Sequence, residues 1–207
     1  MSEHYYANKP TAAHQRQVVR LDINDVHLVL VTDTGVFSRR GVDAGTRLLL
    51  ESVPAPAEGV MLDMGCGYGP IGLYFAAVCP YCQVHMSDIN ERAVELSREN
   101  AVRNGLRNVT VFCGEAFAPL QKQKYHLIVT NPPIRAGKQC LLQMFSAAHR
   151  HLLPGGRFAF VARTQQGAKT LAKAVEQIFG NITDLARGGG YRVYMAYKDA
   201  DATVALD

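Results

Sequence analysis

The sequence predicts an α/β chain built on a doubly wound, mostly parallel sheet, and three observations predict it. Short apolar runs rich in Val, Ile and Leu alternate with helix-length amphipathic stretches, a pattern that asks for a sheet covered on both faces. A glycine-rich turn, Gly65-Cys66-Gly67-Tyr68-Gly69, follows the apolar run Val60-Met61-Leu62 and opens a helix at Pro70. Asp63, Asp88, Glu115 and Asn131 fall at or just past the ends of four different apolar runs, where open α/β sheets bind their ligands.

Taken in order, residues 1–17 are polar and rich in Tyr and His and read as an irregular arm, loosely packed. Val18–Leu21 and Val26–Thr32 flank Asn24-Asp25 and read as a β-hairpin. A helix runs from Asp43 to before Pro54. The central strand at Val60 leads into the glycine turn and an apolar helix over Ile71–Cys79. Gln83–Ser87 is the next strand, and Asn90 caps a helix that Gly105 closes. Val109–Cys113 and Tyr125–Thr130 are strands, the latter ending in Asn131-Pro132-Pro133. A helix over Gln139–Leu153 is stopped by Pro154-Gly155-Gly156, and a strand follows at Arg157–Ala162. A helix over Gln166–Phe179 and strands at Ile182–Ala186 and Tyr191–Tyr197 close the domain, with one antiparallel strand expected toward the edge. The domain is placed at 18–198, followed by an acidic tail, 199–207, expected to be disordered.

The glycine turn suits a nucleoside cofactor, because its backbone approaches a ligand with no side chain in the way. Gly67-x-Gly69-x-x-Gly72 also satisfies the dinucleotide pattern, a weak signal by itself. Asp63 decides between cofactors. A carboxylate beside the turn opposes a pyrophosphate and suits a cationic amino group. S-adenosylmethionine carries an ammonium and a sulfonium and no phosphate, so it is preferred to NAD. Asp88 stands at the spacing of an acid that binds ribose hydroxyls; its plainer role is to cap the next helix. Glu115 is placed to accept from an adenine amine, and equally reads as a solvated loop acid. Gly65, Gly67, Gly69, Ile89 and Ala116 complete the expected cofactor contacts, with Asn131 shared between cofactor and acceptor.

Asn131-Pro132-Pro133 is the second sharp signal. Two prolines after Asn fix an unusual backbone, which holds the Asn carboxamide oxygen and the Pro132 carbonyl in set relation. Both can accept hydrogens from one planar –NH2 group, aim its nitrogen at a methyl donor and stabilise the charge that develops on it. The plainer reading is a turn.

The chain carries 22 Lys and Arg against 18 Asp and Glu, a formal charge of +4; setting aside the last nine residues leaves 15 acids, and a basic body compatible with RNA as well as with simple solubility. No apolar run reaches membrane-spanning length and the N-terminus lacks a signal-peptide pattern, so a cytoplasmic protein with no membrane partner is expected. Cys79 and Cys82 have dithiol spacing but sit at the wrong end of a helix for redox chemistry, and no second ligand pair suggests zinc; all five cysteines are read as reduced structural thiols, and no metal is expected.

At the two motifs the chain resembles a known family. Leu62-Asp63-Met64-Gly65-Cys66-Gly67-Tyr68-Gly69 resembles motif I of class I S-adenosylmethionine-dependent methyltransferases, and Asn131-Pro132-Pro133-Ile134 resembles the catalytic motif of those that methylate planar amino groups. Residues 18–198 resemble the methyltransferase small domain family; Gly35-Val36-Phe37-Ser38 and Asp43-Ala44-Gly45-Thr46-Arg47-Leu48-Leu49-Leu50 are similar to the lead-in of its ribosomal RNA guanine-N2 enzymes. The resemblance implies a Rossmann-like seven-stranded sheet and cofactor contacts at Asp63, Gly65, Gly67, Asp88 and Glu115. It implies Asn131 and Pro132 at the target nitrogen, and RNA, ribosomal RNA or a ribosomal subunit precursor, as partner. Ile134 departs from the family, which usually places a base-stacking aromatic there; Phe37 is the candidate replacement, with Arg135 and Lys138 as phosphate contacts. The leading expectation is methylation of an exocyclic RNA amine, guanine N2 foremost. Protein glutamine-amide or adenine-N6 methylation and a non-catalytic RNA-binding module remain the alternatives, with an NAD-dependent oxidoreductase the most remote.

Overall fold

The computed structural model describes residues 12–120 and 122–200, apart from the side chain of Arg135. The expected arm up to residue 11 and the tail from residue 201 lie outside the described residues.

The hairpin comes first. Strands β1 (Gln17–Ile23) and β2 (Val26–Thr32) pair antiparallel around a two-residue turn, with Asn24 in the left-handed conformation that such turns need (φ 49°). Helix α1 (Ala44–Ser52) follows, capped by Asp43. Then come β3 (Gly59–Met64), α2 (Pro70–Val78), β4 (Cys82–Asp88), α3 (Glu91–Arg103), β5 (Val109–Cys113) and β6 (Tyr125–Thr130). The chain ends with α4 (Lys138–His151), β7 (Leu152–Arg163), α5 (Ala168–Phe179), β8 (Thr183–Gly188) and β9 (Tyr191–Tyr197).

The main sheet has seven strands in the order β5-β4-β3-β6-β7-β9-β8. All neighbours are parallel except β9, which runs antiparallel to both β7 and β8. Period-two alternation divides the core. Met61, Val84, Met86, Leu127 and Val129 face the layer made by the hairpin, α1, α2 and α3. Leu62, Met64, Ile128, Phe158 and Phe160 face α4 and α5. The strand order reverses between β3 and β6, which opens a crevice at their C-terminal ends.

Asn100, fully buried on α3, ties the hairpin to this frame. Its carboxamide accepts from Val31 N (2.7 Å) and donates to Val31 O (2.9 Å) and to Tyr68 O (2.8 Å). The edge of β2 is thereby satisfied by a side chain instead of a further strand. Residues 12–16 are also held: Gln15 N and His14 Nδ1 bond to the buried Asp33 carboxylate, and Arg92 donates to the Ala12 carbonyl. This stretch of the arm is tied down, not loose.

Two further expectations are corrected. Pro154-Gly155-Gly156 does not separate helix from strand. α4 already ends at His151, and the three residues lie within β7, where the pairing with β6 jumps from Tyr125–Leu152 to Leu127–Arg157. Gly155 takes a left-handed φ of 73° in this bulge, and Lys198 is tied to Gly155 and Gly156 by two backbone bonds. Cys79 and Cys82 are joined by a disulfide and are not free thiols. The two-residue turn between them, where α2 gives way to β4, brings their Cα atoms to 5.3 Å, within bonding reach. Cys66 does fit the structural-thiol reading. It is buried, and burial, with the nearby Asp88 and Asp63 charges, pushes its thiol well up from its usual range.

No helix among the described residues is long and apolar enough to cross a membrane, and none of their His, Cys, Asp and Glu side chains form a group of three placed to hold a metal ion.

Candidate active site

The crevice at the strand ends holds a cavity of about 220 Å³. Gly65, Gly67, Asp88, Ile89, Glu115, Ala116, Asn131, Pro133 and Phe37 all line it, so residues from four strand ends and one loop converge as the sequence suggests. Gly65 and Gly67 have φ of 75° and 58°, and a Cβ on either would project into space that no protein atom fills. Such a bare backbone surface fits a ligand laid directly on the turn.

Asp88 fastens this turn to the next one. One carboxylate oxygen accepts from Gly67 N (2.8 Å) and the other from Asn90 N (2.9 Å). Burial raises its pKa and those backbone bonds oppose the rise. The Ile89 N–H bonds the same carboxylate, and three donors on its four lone-pair sites leave room for a ligand hydroxyl.

Asp63 is placed differently from expectation. It is fully buried and does not line the cavity. By strand parity its side chain shares the face of Met61, beneath the N-terminus of α2, where one oxygen accepts from Gly72 N at 2.8 Å. Gly72 is in the first helical turn, whose N–H groups lack helical partners and favour a negative charge. The other oxygen has no partner among the described residues. Burial raises the carboxyl to about 7; the Gly72 bond opposes that and the Asp88 charge adds to it. Asp63 braces the turn from behind, beneath the backbone that lines the cavity.

Gly69 is also inward. Its φ of 99° requires glycine, and a Cβ there would meet Leu73 Cδ1 at 2.9 Å and Met86 Cε at 3.0 Å and not the open cavity.

On the facing wall, Asn131 follows β6. Its Nδ2 donates to Thr46 Oγ1 (3.0 Å) and to Asp43 Oδ2 (3.2 Å), and its oxygen takes no hydrogen bond among the described residues. Asn131 also lines a second, smaller cavity of about 30 Å³ that reaches Phe37, Asp43, Thr46 and Tyr68. Pro132 is buried and does not line the main cavity. Ile134 is half-buried against the core on the α4 side and stays out of both cavities, whereas Phe37 is 41 % exposed and lines both. Lys138 is exposed at the start of α4; the Arg135 side chain lies outside the described residues.

The sequence reading missed several wall residues. Met64, Ala136, Cys140 and Met144 make an apolar side, and Val36, Ser87, Asn90, Ala93 and Gly114 complete it. Ser87 and Asn90 flank Asp88 and were within reach of the strand-end rule. Cys140 and Met144 were not, since they depend on how α4 turns over the crevice.

Residues 27–195 match the family model of the methyltransferase small domain. The chain belongs to that family. Its members are S-adenosylmethionine-dependent methyltransferases; the chain is one, and S-adenosylmethionine is its cofactor. YbxB of Bacillus subtilis is 40% identical over 200 residues, covering 96% of this chain and 100% of that one. Ribosomal RNA small subunit methyltransferase C of Escherichia coli is 33% identical over 179 residues, 84% of this chain but 51% of that protein. The chain thus spans about half the length of the methyltransferase C relatives it matches. Among solved structures, the T. thermophilus 16S rRNA N2 G1207 methyltransferase, held with AdoMet and guanosine, superposes with a TM-score of 0.78 at 23% identity, over 91% of this chain and 52% of that one. The Lactobacillus delbrueckii ribosomal protein L11 methylase superposes with a TM-score of 0.64 at 20% identity, over 81% of this chain and 84% of that one. At those identities the likeness is one of fold.

Proposed function

We propose that this chain methylates an exocyclic amine of RNA, with guanine N2 of ribosomal RNA the leading acceptor. The observation that carries the reading is the Asn131 carboxamide: its nitrogen is engaged by protein, its oxygen takes no hydrogen bond among the described residues, and the residue lines the cavity. An open amide oxygen beside a rigid Pro132-Pro133 backbone is what a planar –NH2 group needs as partner.

The cofactor, when bound, supplies an electrophilic methyl group. Gly65, Gly67 and Asp88 would hold it, with Ile89, Glu115 and Ala116 at its adenosine end. Asn131 Oδ1 and the Pro132 carbonyl accept the two amine hydrogens, orient the nitrogen lone pair and stabilise the positive charge that builds on it. No side-chain base is required, because a methylated aromatic amine gives up its extra proton readily to water. Phe37 supplies the stacking surface that Ile134 does not. Arg135 and Lys138 serve as phosphate contacts. The basic body and the ribosomal RNA names of the curated relatives support RNA over a protein glutamine amide. A cytoplasmic location goes with that acceptor.

The test is tritiated-methyl transfer to an unmodified small-subunit rRNA transcript and to whole subunits, followed by nucleoside mass spectrometry. N2-methylguanosine is the expected product. Asn131→Ala should lower kcat about 10²–10³-fold while cofactor Kd stays within about twofold. An Asn131→Ala enzyme with near-parent kcat sinks the assignment, and label appearing in ribosomal protein moves it to the glutamine amide.

A further inference from the structure

We propose that Asp43 and Thr46 are positioning residues that decide which end of the Asn131 carboxamide faces the acceptor amine. The inference rests on the reading of Asn131 given above. An amide's oxygen and nitrogen ends are almost the same shape, and only the hydrogen-bond surroundings tell them apart. Turned one way, Asn131 accepts from an –NH2 group; turned the other, it sets donors against donors and cannot assist.

The surroundings here admit one orientation. Asp43 Oδ2 accepts from Thr46 Oγ1 at 2.6 Å. Thr46 has then spent its single hydrogen and offers only lone pairs to Asn131. Asp43 Oδ2 is itself a carboxylate oxygen. Both groups that meet Asn131, at 3.0 Å and 3.2 Å, are therefore acceptors, and only the –NH2 end satisfies them. The oxygen end is the one left for the acceptor amine.

The lock is itself fixed. Asp43 Oδ1 caps α1 by accepting from Gly45 N (3.0 Å) and Thr46 N (3.3 Å). Gly45 seats that helix end directly on the Tyr191 ring of β9, where a Cβ would come within 2.5 Å of Cδ1. Thr46 is buried. Thr46 and Asp43 thus join α1, 85 and 88 residues away in sequence, to the catalytic turn after β6.

Asp43→Asn is the decisive variant. Asn caps a helix as well as Asp does, so the fold stands. Its –NH2 group, placed where Oδ2 was, donates to Thr46 and to residue 131, reverses every bond in the circuit and turns the Asn131 amide around. Expected are a kcat about 10²-fold lower on the unmodified rRNA transcript, with cofactor Kd and melting temperature close to the parent's. Asp43→Asn/Asn131→Asp, which offers oxygen at both ends of side chain 131, should regain about tenfold or more over the single variant, a repair that a purely structural role for Asp43 does not allow. Thr46→Val should lower kcat about tenfold and Thr46→Ser restore it, which keeps the test open if Asp43→Asn folds poorly. Parent-like kcat in both Asp43→Asn and Thr46→Val, or a double variant no better than Asp43→Asn, overturns the proposal. If Asn131→Ala is inactive in the same assay, the amine-methylation reading survives that failure; if Asn131→Ala is active, that reading falls first.

Discussion

The two walls of the cavity are built on opposite plans. The glycine wall is held by backbone: Gly67 N and Asn90 N on Asp88, Gly72 N on Asp63. The partners lie within the motifs themselves or one strand away. The acceptor wall is held by side chains, Asn131 on Asp43 and Thr46, drawn from distant parts of the domain. The first plan makes a surface for any ligand that tolerates a bare backbone. The second sets the polarity of a single group. On the proposed function, binding falls to the first wall and selectivity of chemistry to the second.

Three measurements press on that contrast. The largest effect is expected at Asp63. Its carboxyl is held near 7 in the folded chain, against an ordinary value of 3.8. Ionising it costs more in the folded than in the unfolded chain, so stability is full below about pH 4 and declines as pH rises to about 7. The full shift corresponds to an upper bound on the order of 4 kcal/mol. Asp63→Asn keeps an acceptor for Gly72 N and loses the slope. Urea titrations of the cofactor-free protein at pH 5 and pH 8 should show the parent weakening relative to Asp63→Asn. Equal weakening of both would mean that Asp63 does not brace the turn as a buried carboxyl.

Asp88→Ala comes next. The Gly67, Asn90 and Ile89 N–H groups lose their acceptor, at about 1–3 kcal/mol each where they remain buried. Cofactor Kd by calorimetry should rise about 10²-fold, with kcat at saturating cofactor nearly unchanged. A fall in kcat without a change in Kd would dissolve the division between the walls. Phe37→Ala should have the smallest effect, raising KM for RNA by the 1–3 kcal/mol typical of a stacked base, about tenfold, and sparing cofactor Kd. An unchanged KM would remove Phe37 as the stacking partner.

The sequence made the glycine wall legible because its parts are consecutive: apolar run, acid, glycines, helix. It also placed the strand ends, and so the convergence of Asp88, Glu115 and Asn131. What it misjudged depends on facing. Asp63 and Asp88 share a pleat on neighbouring strands, yet Asp63, level with Met86, lies beneath α2, while Asp88, two residues further along, reaches the crevice, a difference of register that composition does not show. Gly69 shares a positive φ with Gly65 and Gly67, but it faces Leu73 and Met86 in the core, not open space. The Asn131–Asp43 contact and the Cys79–Cys82 bond required knowing which helix end meets which strand. Pro154-Gly155-Gly156 misled because breakers of a helix are also the residues of a bulge.

Asn100 joins the hairpin edge to Tyr68 within the glycine turn, and no hairpin residue lines either cavity. Quieting the turn with cofactor must then quiet the hairpin as well. The Val31 amide, sheltered only while Asn100 stays in place, should exchange its hydrogen more slowly in deuterated water once the cofactor is added, reporting on occupancy from a strand that never touches it.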